Sequence, residues 1–377
     1  MIPPYVAVRR LHATHRCAYT DPPPHTEGMR RLTAAAVLAL TFALAAPAQA
    51  QPQVTVGTTI ARGLTSPWGL DFLPDGSALV TERDTGRILR IDPRKKAGSN
   101  VTVLGTVPGS TPDGEGGLLG IAISPKADYA YVYTTTRRDN RVLRIELLDN
   151  ATRLGKVTPI LTGIPKASYH NGGRIVLDPQ GDLVIATGDA GDVGLSQDPA
   201  SLAGKVLRIA TDGTPIGSSP VFSLGHRNVQ GLAFDSAGGL WASEFGSKDA
   251  DELNYLVAGG NYGWPDVEGT SRNSKFRNPE AQWSPTSLAS PSGIAILDDH
   301  AYVASLRGEV VWQVPLTGVG GSDPGAGTPR ALKLGDLGRL RTIEPAPDGS
   351  LWLITSNTDG RGDPGPRDDR IIRLTVR

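Results

Sequence analysis

The chain is 377 residues long, and its 38 lysines and arginines are balanced by 38 aspartates and glutamates, for a formal net charge of zero. That balance argues against a nucleic-acid binder, whose basic surplus neutralises phosphates. With 46 glycines, 30 prolines, short apolar runs and no long helical period, the composition points to many short strands joined by turns.

In chain order, residues 1–28 precede an ordinary signal start and read as an upstream extension from a start codon placed too early. From Met29, MRRLTAAAVLALTFALAAPAQA carries two arginines, an apolar stretch of about 15 residues and the small-x-small ending Ala48-Gln49-Ala50. This is the pattern of a secretory signal peptide over 29–50; a membrane anchor would need about 20 apolar residues and different flanks. Cleavage after Ala50 predicts an exported protein, periplasmic or extracellular, comprising residues 51–377. Cys17, the only cysteine, leaves with the leader, so the mature chain is expected to have no thiol, disulfide or cysteine-based metal site.

Residues 51–377 read as one domain built on a repeat. A glycine-containing start, an alternating strand, a Pro/Asp/Gly turn and a second strand recur from Pro67 (PWGLDFLPDGSALVTER), Leu118, Gly172, Val229, Pro291 and Leu340. Four copies continue into a third strand with a basic residue in fixed register: RILRI at Arg87, RVLRI at Arg141, KVLRI at Lys205 and RIIRL at Arg370. Six such units predict an all-β fold, a six-bladed β-propeller with four-stranded antiparallel blades, because one small sheet cannot bury its faces alone. VTVGTTIAR, just after the leader, is expected to close the ring as an outer strand of the last blade.

In that topology the residues before each first strand and after each second strand surround one mouth of the central channel, where function usually sits. Before first strands stand Glu115, His170, Arg227 with Asn228, and Arg339 with Arg341; after second strands stand Asp189, the run EFGSKDADELN from Glu244, and Arg307. His170, in YHNGGRI, can accept a proton near neutral pH, and Asp189 could orient its ring; a turn residue is the plainer reading of Asp189. Four arginines from three blades repel unless an anion lies between them, so they predict an anionic ligand, with separate salt bridges to local acids as the alternative. The acidic, glycine-rich run suits a hard cation such as calcium, although it lacks EF-hand spacing and could be a solvated loop.

Taken in order, GEGGLLG, YHNGGRI, GHRNVQGLAFD, DELN with NYGWP, and GRLRT with APDG resemble the soluble quinoprotein sugar dehydrogenases, the glucose/sorbosone dehydrogenase family, over essentially the whole mature chain. The resemblance implies a six-bladed propeller that uses pyrroloquinoline quinone (PQQ) and calcium to oxidise the anomeric hydroxyl of aldoses to lactones, with electrons leaving to an external acceptor. It makes His170 the base and Asp189 its carboxylate partner. Arg227, Asn228, Arg307, Arg339, Arg341 and, where a glutamine is common, Glu115 become cofactor contacts. Gly246 and Ser247 become the carbonyl pair for the active-site calcium, and Glu252 and Tyr262 part of a second, structural calcium site. Ser247 replaces a usual proline, Tyr169 an aspartate of some members, and Arg307 a lysine of others. Two other classes stay open: a calcium-dependent lactonase, which would not need four arginines, and a non-catalytic binding propeller, which the carboxylate at Glu115 favours. Sugar specificity is expected in loops without a repeat partner, such as GTSRNSKFRNPEAQW from Gly269.

Overall fold

The computed structural model describes residues 51–377; the segments expected to be an upstream extension and a signal peptide, with Cys17, lie outside the described residues. Six antiparallel sheets follow one another along the chain, and each begins with its innermost strand. The inner strands are Pro67–Phe72, Leu118–Ile123, Ile175–Leu177, Val229–Phe234, Pro291–Leu297 and Leu340–Pro345, which define blades 1 to 6. The chain thus forms the expected six-bladed propeller. Val54–Arg62 pairs antiparallel with Arg370–Val376 as the outermost strand of blade 6, so the amino-terminal strand does close the ring. In blade 5 the outer position is split between two short strands, Gly325–Ala326 and Arg330–Leu332, both paired with Val311–Thr317.

The glycine that recurs in the inner strands has a steric cause. A Cβ on Gly120 would strike the Gly173 carbonyl of blade 3, and one on Gly293 would sit 2.8 Å from Thr342 Cα of blade 6. Neighbouring inner strands therefore approach backbone to backbone around the channel, a contact only glycine permits. Hydroxyls lock the same seam: Thr342 Oγ1 donates to the Trp68 carbonyl at 2.6 Å, tying blade 6 to blade 1.

Outside the seam, the core lies between blades. Leu79 and Ile88 of blade 1 pack with Leu118, Ile121 and Val132 of blade 2, all buried; each such side chain contributes about 1.5–3 kcal/mol. The turns on the far face are held locally, as Asp178 Oδ1 accepting the Gln180 and Asp182 N–H groups at 2.9 Å shows. Blade 3 departs from the pattern. Its inner strand has only three residues because His170, Gly172 and Gly173 take φ of 55°, 61° and 108°, which keeps the chain irregular up to Arg174.

Candidate active site

A cavity of about 460 Å³ opens at one mouth of the channel. Nine of the twelve residues singled out from the sequence line it: Glu115, His170, Arg227, Asn228, Gly246, Ser247, Arg307, Arg339 and Arg341. Asp189 stands directly behind His170, and Glu252 and Tyr262 line a smaller adjacent cavity whose wall also includes Arg227 and Gly246.

His170 is held at every polar point but one. Its ring Nδ1 lies 2.8 Å from Asp189 Oδ1, its N–H donates to Glu115 Oε2 at 3.1 Å, and its carbonyl accepts the Ala190 N–H at 3.1 Å. Asp189 is fully buried and its oxygens also accept the Gly191 N–H at 2.8 Å and the Trp264 indole N–H at 3.0 Å. A carboxylate so placed accepts from Nδ1–H, which leaves the lone pair on Nε2, a nitrogen with no partner among the described residues. Gly172 must be glycine here, since a Cβ would lie 2.5 Å from the Thr187 carbonyl carbon. Tyr169, 44 % exposed, packs edge-on against the His170 ring at 4.7 Å.

The arginines divide into two kinds. Arg339 and Arg341 both reach Asp359 Oδ2, at 3.1 and 3.2 Å. Burial opposes ionisation of Asp359, but Arg341 and Arg339 outweigh it and hold the carboxyl below its usual range. For these two the alternative reading, pairing with a local acid, is met in part, by one carboxylate that both share. Arg227 instead donates through Nη1 to the Gly246 carbonyl and lies over the Trp264 ring, and its Nε is buried without a partner. Arg307 is exposed at the rim and forms no ion pair among the described residues. Asn228 Oδ1 accepts the Gly172 N–H at 3.0 Å. In all, six arginines and three carboxylates line the cavity, and burial pushes one of those acids, Asp251, up to about 7.

The acidic run from Glu244 is organised by a residue outside it. Glu268 Oε1 accepts the backbone N–H groups of Ser247, Lys248, Asp249 and Ala250, at 2.6, 2.9, 3.0 and 3.1 Å. In a trans peptide the carbonyl points opposite to the following N–H, so this carboxylate turns the Gly246 and Ser247 carbonyls away from itself. Among the described residues no three Asp, Glu, His or Cys side chains converge on one point. A hard cation here would accordingly rest on backbone carbonyls. In the smaller cavity, burial and then the Glu244 charge push the Glu252 carboxyl up to about 8. The Tyr262 hydroxyl is committed to the Tyr255 carbonyl at 2.6 Å, which leaves its own carbonyl as the group open to a metal.

Sequence reading missed Asp359, Arg361 and Glu268. The first two follow the second strand of blade 6 and obey the same positional rule that found Asp189; Glu268 carries no repeat signal.

The sequence model of the glucose/sorbosone dehydrogenase family matches residues 64–372. Quinoprotein glucose dehydrogenase B of Acinetobacter calcoaceticus is 33 % identical over 259 residues, 58 % of this chain and 54 % of that protein. Aldose sugar dehydrogenase YliI of Escherichia coli is 27 % identical over 341 residues, 79 % of this chain and 89 % of that protein. The solved PQQ-bound form of aldose sugar dehydrogenase from Streptomyces coelicolor is 48 % identical with a TM-score of 0.81, covering 87 % of this chain and 99 % of its own. The family match runs from the first blade to the last and takes in every wall of the cavity, so this chain belongs to the glucose/sorbosone dehydrogenase family.

Proposed function

We propose that the protein is a PQQ- and calcium-dependent dehydrogenase that oxidises the anomeric hydroxyl of aldose sugars to lactones. The observation that carries this reading is the cation surplus of the cavity, six arginines against three carboxylates, beside the pair of His170 with the buried Asp189. PQQ is a tricarboxylate, and the site fits it. The orphaned Arg227 Nε and the unpaired Arg307 are donors that a ligand carboxylate would satisfy. Arg227, Asn228, Arg307, Arg339 and Arg341 would hold it, and the Gly246 and Ser247 carbonyls would hold calcium. When bound, the quinone supplies the hydride acceptor and calcium the Lewis acid that polarises it.

The protein's own part is acid–base and positional. His170 Nε2 takes the proton of the sugar hydroxyl, and Asp189 keeps the ring in the tautomer that can do so and stabilises the imidazolium that forms. Such a base contributes about 10²- to 10⁴-fold. Glu252 and the Tyr262 carbonyl are the proposed second calcium site, where a cation would relieve the strain of packing Glu252 beside Glu244. The protein acts after export, in the periplasm or outside the cell, and passes electrons to an external acceptor; no helix of the described residues is long and apolar enough to cross a membrane.

The test is dye reduction by the purified mature protein with a panel of aldoses, with and without PQQ and calcium. Sugar- and PQQ-dependent reduction is expected. Lactone hydrolysis without PQQ would assign a lactonase, and neither activity would leave a binding propeller.

A further inference from the structure

We propose that Glu115 is a positioning residue for His170, and that Arg361 holds Glu115 in that role from across the rim. The inference rests on reading His170 as the base. The family resemblance places Glu115 against the cofactor, yet both of its oxygens are engaged within the protein. Oε2 accepts the His170 N–H at 3.1 Å, and Oε1 pairs with Arg361 Nη2 at 2.9 Å. The Glu115 N–H also donates to the Ser168 carbonyl at 2.8 Å, so the segments around Glu115 and His170 are tied twice.

The reason such a tie is needed lies in the backbone. His170 sits at φ 55°, in the left-handed region that a residue with a Cβ avoids. A conformation of that kind persists only where its surroundings over-determine it. Here the Ala190 N–H fixes the carbonyl, Asp189 fixes the ring, and Glu115 alone fixes the N–H. Without Glu115 one of these three restraints is gone, and the backbone can relax away from φ 55°, which draws the imidazole out of the direction that Asp189 sets.

Arg361 explains how a carboxylate is tolerated at the rim of a site built for an anion. It reaches Glu115 of blade 2 from the loop after the second strand of blade 6, passing over blade 1. The pair is locally neutral, so the carboxylate keeps its strong, charge-assisted bond to the His170 N–H without repelling a bound tricarboxylate. Because the Arg361 side chain is 65 % exposed, its own contribution is small and screened by salt.

The experiment compares Glu115→Ala, Glu115→Gln and Arg361→Ala in the mature protein. With PQQ bound, Glu115→Ala is expected to lower kcat on the order of 10- to 100-fold, the cost of a base displaced by about 1 Å. Sugar KM and PQQ affinity should change by less than about threefold, since the loss is confined to the chemical step. Glu115→Gln, which keeps an oxygen for the His170 N–H, should recover most of the loss, and Arg361→Ala should cost about two- to fivefold. In cofactor-free protein, the His170 ring nitrogen resonances should move in Glu115→Ala and return in Glu115→Gln. This spectrum reads the tie itself, whether or not His170→Ala later upholds the base. A tenfold or greater loss of PQQ affinity with unmoved His170 resonances would instead make Glu115 a cofactor contact. If Glu115→Ala does not fold, the exposed Arg361→Ala decides: unchanged kcat and unchanged His170 resonances overturn the proposal.

Discussion

At the mouth of the central channel six arginines face three carboxylates, whereas deeper in the same channel one guanidinium, that of Arg174, stands 3.8 Å from Glu344, a carboxyl that also feels the charge of Asp71. Trp68 marks the junction: it lines the cavity, and Arg174 and Arg341 lie over its ring at 4.5 and 6.0 Å. At the mouth the response depends on the nearest arginines: burial outweighs the Arg227 charge at Asp251 and pushes it up to about 7, whereas Asp359 behaves in the opposite way. Above, Asp359 is held below its usual range by Arg341 and Arg339 despite burial. Below, burial pushes Glu344 up to about 8 and Asp71 up to about 6, because too few cations oppose it. The strands are the same, for Asp71 follows Trp68 on the first inner strand and Glu344 follows Arg341 on the last. What differs is the local balance of charge, so the mouth is left able to take an anion while the lower channel neutralises itself by holding protons.

The largest expected effect separates chemistry from binding at the mouth. His170→Ala should lower kcat by about 10²- to 10⁴-fold, while PQQ still binds through the arginine wall. Steady-state dye reduction together with an equilibrium titration of PQQ into cofactor-free protein checks both halves. Retained turnover would remove His170 from the mechanism.

A middle-sized effect tests the division among the arginines. Arg227→Ala or Arg307→Ala should each weaken PQQ binding about 10- to 100-fold, because each loses a charged donor that has no other acidic partner. Arg339→Ala should cost less, since Asp359 already neutralises much of its charge. Raising the salt should erode the contribution of exposed Arg307 more than that of Arg227, whose Nε is buried. If Arg339→Ala proves the most damaging of the three, the contrast between paired and spare arginines is broken.

The propeller was legible in the sequence because the blades repeat one solution, an inner strand followed by a hairpin, and four of the six carry a glycine where the next inner strand approaches: Gly69, Gly120, Gly231 and Gly293. The ring closure by Val54–Arg62 was expected from the position of that segment alone, and its pairing with Arg370–Val376 supplies the outer strand of blade 6. Much of the site followed from topology, as residues before first strands and after second strands were bound to meet. What the sequence withheld were contacts without a period. Nothing in the order of residues says that Glu268 collects four N–H groups of the loop at Ser247–Ala250, or that the Trp264 indole reaches Asp189. Glu115 shows the limit most clearly. Its position was read correctly, but the direction of its two oxygens depends on Arg361, which arrives from a loop outside the repeat.

The smallest effect probes the lower channel through pH. Asp71 accepts the Ile123 N–H at 2.6 Å and the Phe72 N–H at 2.7 Å, and these bonds lower its pKa, but burial dominates and raises it from 3.8 to about 6. Below about pH 4 the carboxyl is protonated in both the folded and the unfolded chain, so its ionisation does not bear on stability. As pH rises from about 4 to 6, the unfolded chain releases the proton first; the folded state then binds more protons, and stability falls. Above about pH 6 both forms are ionised and the loss stops growing. Asp71→Asn cannot titrate, so its Tm should gain on the wild type by on the order of 1–3 °C across that window, on top of any constant offset. Thermal unfolding at closely spaced pH values reads the difference directly. A gap between the two proteins that stays flat from pH 4 to 6 would mean that Asp71 ionises normally, and that the lower channel does not differ from the mouth in the way its charges suggest.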